Sequence, residues 1–381
     1  MSIRKLAGFC VVFYCLAHVY AQGRLGSSVE SSTQAQEIVA SAGSYTLQWR
    51  HHYERQTGLV LNGVSDDSGT LWLMTHSGPG KPEESLTKFD PDGHLIDNYK
   101  LTVPLNPFEW VASWAPAASK QNVGLLASLV SGGRDQIFEG AFYLPVGADG
   151  PGDPVRISGR GPQFPTMTGT GATEFIAAGD QEPLTLVKLD PSGKILWRRA
   201  FSSKLVLPTL STGSSGSIFV LSQGGAYILL QMLDPQGRVL KSKRISAKQG
   251  TVVADSDGGC TLLFSTRFAG SNDNKVYLMT LDRELRELKR AETPLVTWGG
   301  RTYRLVSSPR GHLIVGEGPT PNPQKIVPKK ILAEFDKAGT LMWQQSASSL
   351  VTPLLASFPS GFYLVRELFE GKGIDIEKYL Y

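Results

Sequence analysis

Along most of this chain, short apolar runs are broken by clusters of Gly, Asp, Pro and Ser, the punctuation of many short β-strands rather than of helices. One line recurs almost intact: an alternating strand, Asp-x-x-Gly, then a second alternating strand. It reads Leu86-Thr-Lys-Phe-Asp-Pro-Asp-Gly93, Leu186-Val-Lys-Leu-Asp-Pro-Ser-Gly193, Leu230-Gln-Met-Leu-Asp-Pro-Gln-Gly237 and Leu332-Ala-Glu-Phe-Asp-Lys-Ala-Gly339. Degenerate copies sit at Asp149-Gly150 and Asp282–Leu285. Asp caps such a turn, Pro presets φ, and Gly takes the position that needs φ > 0.

A second line precedes each of these by about twenty residues: a polar turn closing on Gly, then a short apolar strand. Its copies end at Gly69, Gly216, Gly259, Gly311 and Gly361, with weaker ones near Asn122 and Thr173. From Gly69 to Gly361 is 292 residues in six steps, about 49 per step, the length of one four-stranded blade of a β-propeller. The seventh copy stops at a third strand, Ile374–Tyr381, with no Asp-x-x-Gly turn after it. Tyr45-Thr-Leu-Gln-Trp49-Arg50 has the pattern of the missing outer strand, Lys194-Ile-Leu-Trp197-Arg198, but follows no third strand. The expectation is an all-β chain forming a single seven-bladed propeller, closed by that N-terminal strand in the last blade, with eight blades as the alternative.

The line Leu-Asp-Pro-Ser-Gly-Lys-Ile-Leu-Trp at 189–197 resembles the repeat of the quinoprotein-like propeller superfamily, whose units end in Gly-x-x-x-Trp. Gly193/Trp197 and Gly339/Trp343 carry the full signature, while Asp97 and Lys241 stand in place of the Trp in two copies. The resemblance implies the architecture over the mature chain. It is nearly silent on function, because the superfamily includes dehydrogenases, assembly scaffolds and receptor-like modules. Its quinone enzymes use adjacent cysteines beneath the cofactor; here Cys260 stands alone once Cys10 and Cys15 leave with the leader, so no cofactor is expected.

Arg4 and Lys5, the apolar run Leu6–Ala17 and then Val19-Tyr20-Ala21 have the order of a secretory signal peptide. Twelve apolar residues rise only ~18 Å as a helix, too short for a ~30 Å hydrocarbon core. Residues 1–21 are read as that signal, 22–43 as a flexible polar leader and 44–381 as the propeller. The mature chain is expected to be exported, periplasmic or secreted, with no transmembrane segment. Removing Arg4 and Lys5 reduces the balance of 38 basic against 34 acidic residues to near neutrality. That argues against nucleic acid as a partner and against a polybasic membrane-surface protein.

Chemistry-bearing motifs are sparse. His51 and His52 are adjacent on a strand and point to opposite faces; no His-x-His pair, no Gly-x-Ser-x-Gly elbow and no metal spacing occur, so no metal is expected. Loop position therefore carries the functional reading. If both Gly-turn series lie on one face, the opposite face holds the connections of varied length, where binding residues usually sit. Arg134, Asp135 and Trp298 are ligand-binding candidates there. Two functions remain open. One is a non-catalytic binding or scaffolding propeller that engages a protein, peptide or glycan. The other is a hydrolase or lyase with a carboxylate/Arg/Tyr site drawn from Arg160, Asp180, Arg301 and Tyr303.

Overall fold

A computed structural model describes residues 45–54, 59–76, 83–132, 137–160, 164, 166–179, 183–201, 206–266, 275–296, 303–319, 330–347, 353–368 and 373–381. The expected signal and leader lie outside these residues. The described residues open with β1 (Thr46–Tyr53). Blade 1 follows as β2 (Leu59–Ser65), β3 (Leu71–His76), β4 (Glu84–Phe89) and β5 (Leu95–Lys100). Blade 2 has β6 (Glu109–Ser119), β7 (Asn122–Ser131), β8 (Ile137–Gly147), the two-residue β9 (Gly150–Pro151) and β10 (Val155–Ser158). Blade 3 is β11 (Thr166–Gly169), β12 (Phe175–Gly179), β13 (Leu184–Leu189) and β14 (Ile195–Phe201). Blade 4 is β15 (Val206–Thr212), β16 (Ile218–Gln223), β17 (Ile228–Leu233) and β18 (Val239–Ile245). Blade 5 is β19 (Gln249–Ala254), β20 (Cys260–Ser265), β21 (Lys275–Leu281) and β22 (Glu287–Val296). Blade 6 is β23 (Arg304–Ser308), β24 (Gly311–Glu317), β25 (Lys330–Asp336) and β26 (Leu341–Ala347). Blade 7 has β27 (Leu354–Phe358), β28 (Gly361–Glu367) and β29 (Ile374–Leu380).

Seven antiparallel sheets result, and the last is completed by β1 in the order β1-β29-β28-β27. The register runs from Thr46 opposite Leu380 to Tyr53 opposite Ile374. Ring closure through the N-terminal strand is therefore as the sequence predicts. The first strands of successive blades touch around the axis, from β2 through β6, β11, β15, β19 and β23 to β27, which returns to β2. Between blades 2 and 3 the backbones come so close that a Cβ on Gly169 would lie 1.9 Å from the Ala118 carbonyl oxygen. Gly169 is glycine because two backbones meet there, not because the chain turns.

The burial pattern explains the residue pattern. Second strands such as β20 and β24 are buried at every position, since blades cover both of their faces, and they read as continuous apolar runs. Outer strands such as β5 are almost wholly exposed. The Asp-x-x-Gly line joins third to fourth strands as expected. In blade 3, Asp190 Oδ1 accepts from Ser192 N (2.9 Å) and Lys194 N (3.0 Å), and Gly193 adopts φ 88°. In blade 5 Leu285 occupies the glycine position at φ 58°, which is why that copy looks degenerate.

Candidate functional site: the loop face and the raised tip of blade 2

Antiparallel alternation puts both Gly-turn series on one face of the ring and the second-to-third-strand and inter-blade connections on the other. Blade 2 differs from the other blades in the length of its inner strands. Its first three strands span 11, 10 and 11 residues, whereas those of the other blades are Thr166–Gly169 at the shortest and stretches such as Gly311–Glu317 at the longest. Its lower end is level with its neighbours: Asp67 N donates to the Lys120 carbonyl of the β6–β7 turn (3.0 Å), and Ser119 Oγ donates to the Thr170 carbonyl. The surplus rungs must therefore project from the loop face, by roughly 10–13 Å at ~3.3 Å per residue.

A hydrogen-bonded turn at the start of β6 presents exposed apolar side chains on this projection. Asn106-Pro107-Phe108-Glu109 forms a β-turn closed by Glu109 N donating to the Asn106 carbonyl (3.1 Å). Phe108, at the third position, has φ 74°. This is a type II turn, whose third position wants glycine; a Phe there costs ~1–2 kcal/mol. The Glu109 carboxylate locks the turn by accepting from Asn106 N (2.8 Å) and Asn106 Nδ2 (2.9 Å). Those two donors hold the Glu109 carboxyl below its ordinary range. The Phe108 ring is 89% exposed, and Leu105 (47%), Trp110 (38%) and Ile137 (38%) are exposed beside it in the chain or register. Glu109, Ser131 and Ile137 share one rung across the three strands.

Charged groups flank the tip. Arg160 Nε lies 4.0 Å from Glu139 Oε2; Glu139 also accepts from Ser131 Oγ, and its carbonyl accepts from Arg156 Nη2 (2.9 Å). β8 is bulged at Glu139 in its pairing with β7, and Arg156 caps its outer edge above β10, which blunts that edge against strand addition.

Arg160 therefore stands on the flank of blade 2, while Tyr303 stands at the entry to blade 6, and these blades are not adjacent. The Tyr303 hydroxyl donates to the Gln249 carbonyl (3.0 Å), and burial pushes the phenol above its ordinary range, so it serves packing between blades 5 and 6. Arg134, Asp135, Asp180, Trp298 and Arg301 lie outside the described residues.

Sequence reading missed two features besides Phe108. At the loop-face mouth, the Lys330–Glu317 pair (2.7 Å) is almost wholly buried, and Glu367 Oε1 accepts from Val60 N (2.5 Å). Nearby, Arg304 Nη1 reaches Asn62 Oδ1 (3.5 Å) on blade 1. Buried charge of this kind, matched by opposite charge or a backbone donor, pins strand ends around the axis. On the Gly-turn face, a cleft of about 300 Å³ lies between blades 3 and 4. The Lys188–Glu174 ion pair (2.6 Å) lines its blade 3 wall. Among the described residues no group of three or more His, Cys, Asp or Glu is placed to hold a metal, and no helix is long and apolar enough to cross a membrane.

The chain matches no protein-family model and no curated protein. Among solved structures it is similar to the Pan2 WD40 domain of Neurospora crassa, with a TM-score of 0.55 and 12% identity over 88% of this chain and 95% of that one. It is also similar to virginiamycin B lyase of Staphylococcus aureus, with a TM-score of 0.52 and 11% identity over 89% of this chain and 100% of that one. Likeness at such identities concerns the propeller fold alone. The quinoprotein-like resemblance thus continues to rest on the repeats.

Proposed function

We propose that this chain is an exported, non-catalytic binding or scaffolding propeller, of quinoprotein-like descent, that engages a protein partner through its loop face. The observation that carries the reading is the set of exposed apolar side chains on blade 2, whose first three strands run three or more residues longer than those of any other blade. Solvent-facing aromatic and aliphatic residues grouped on a rigid projection mark interaction sites. The signal-like order of residues 1–21 supports export, with a mature N-terminus at Gln22. The alternative, acid–base chemistry at the mouth, gains little: the Tyr303 hydroxyl is engaged, and between it and Arg160 stand three blades by one path and two by the other.

Two alanine sets in the full chain test this. One replaces Phe108, Trp110 and Arg160; the other replaces Leu196, Leu240 and Leu288 on the outer strands. A stoichiometric complex recovered from the exported fraction should be lost with the first set and kept with the second. Loss with the second set alone, or a native chain whose mass still includes residues 1–21, contradicts the reading.

A further inference from the structure

Resting on the loop-face reading, we infer that Phe108 is a preformed anchor that enters an apolar pocket on the partner protein, with Glu109 meeting a basic group at the pocket's rim. Three observations carry it. An 89% exposed aromatic sits at φ 74°, where glycine would be free of strain, and such outliers cluster where something other than folding uses them. Pro107 fixes φ at the turn's second position, and the two Asn106–Glu109 hydrogen bonds tie its two ends together, so little freedom is lost when the ring is gripped. The same bonds orient an ionised carboxylate beside the ring, which favours a positively charged rim.

The alternatives fit less well. An anionic bilayer would meet Glu109 at the point of insertion, and the flanking charges (Glu109, Glu139, Arg156, Arg160) balance rather than forming a basic patch. A second copy of this chain would have to bring two convex tips together, while the Gly-turn cleft between blades 3 and 4 is lined by the charged Lys188–Glu174 pair and by Thr170, Ser214 and Ser215, a poor match for an apolar ring.

The test begins with p-benzoylphenylalanine at position 108 and, separately, at positions 105 and 160 of the full chain, irradiated in the exported fraction. The adduct is identified by mass spectrometry, and that protein is purified and titrated against variants. Phe108→Gly should weaken binding about 30-fold, the equivalent of ~2 kcal/mol, while its Tm stays at or above that of the wild type, because strain is relieved. Phe108→Leu should lose less. Glu109→Gln should weaken binding several-fold at 50 mM salt and hardly at all at 500 mM. Phe108→Gly binding within twofold of wild type overturns the anchor, and if Arg160 variants still weaken binding the loop-face reading stands without it. Self-adducts, or sedimentation with phosphatidylglycerol vesicles that Phe108→Gly abolishes, also overturn the anchor. No protein adduct from any of the three positions overturns both.

Discussion

The Trp197 indole of blade 3 lies across Gly237 in the Asp-x-x-Gly turn of blade 4. Its Nε1 donates to the Pro235 carbonyl (3.1 Å), and a Cβ on Gly237 would come within 2.9 Å of the ring. Trp49 repeats the relationship at the ring closure, donating to the Pro91 carbonyl (3.2 Å) with its ring against Gly93. Where Lys241 replaces the tryptophan, its Nζ donates to the Arg283 carbonyl (3.2 Å). One position on each of these outer strands thus latches its blade to the next turn.

Because Trp197 is half-buried rather than enclosed, Trp197→Ala should cost about 1–3 kcal/mol, less than the ~3–5 of a core tryptophan. Gly237→Ala should cost about 1–2 kcal/mol or more, from its φ of 78° and the clash with the ring. The two should be less than additive, since removing the indole vacates the space the new methyl needs. Urea unfolding of both single variants and the double variant checks this; additivity within ~0.5 kcal/mol would contradict the latch.

Closure depends on β1, whose side chains are largely exposed and held by polar contacts. Arg50 Nε sits 2.6 Å from Glu377 Oε1, and His52 Nδ1 2.9 Å from Asp375 Oδ1. Deleting Tyr45–Tyr53 should uncover the β29 edge and cause concentration-dependent aggregation. A synthetic peptide of residues 45–54 should suppress it. Light scattering unaffected by the deletion would refute the strand's role.

A pH signature is built into the blade 5–6 interface. His312 is buried there, with Nε2 3.0 Å from Thr261 Oγ1, which donates to Asp255 Oδ2 (2.9 Å). The tautomer follows from that chain: Nε2–H donates to Thr261. Burial, with a smaller contribution from Lys337, lowers His312 to about 4. Burial, reinforced by Asp257, raises Asp255 to about 6. At neutral pH the 3.5 Å His312–Asp255 contact is therefore carboxylate against neutral imidazole, not an ion pair. The folded state binds the Asp255 proton more tightly than the unfolded chain does, so this group's stability is lost as pH rises from about 4 to about 6. His312 does the reverse, losing stability as pH falls from about 6.5 to about 4. The two slopes oppose in the wild type. His312→Gln should leave stability falling with pH across that window, and Asp255→Asn should leave it rising, each by up to roughly 2–3 kcal/mol. Parallel slopes in the two variants, read from denaturation midpoints at pH 4.5 and 6.5, would rule the arrangement out.

The ring was legible because its determinants are local. Asp190-Pro-Ser-Gly193 specifies its own turn, and the unpaired Tyr45–Arg50 and Ile374–Tyr381 strands complement each other in pattern. The site was less legible because it depends on height and exposure. The 56 residues from Gly93 to Asp149 signal an enlarged unit, and Asn106-Pro107 signals a turn. Neither says that Phe108 would fall at the left-handed position or face solvent. Asp255 and His312 lie 57 residues apart and meet only because adjacent blades stack.

Hydrogen–deuterium exchange of the mature chain with and without its purified partner tests the loop-face account most directly. Protection on binding should concentrate in peptides covering 105–110 and 128–140, with the Asp-x-x-Gly turns at 90–93, 190–193 and 234–237 unchanged. Protection confined to those turns or to the outer strands at 195–199 and 239–244 would contradict it.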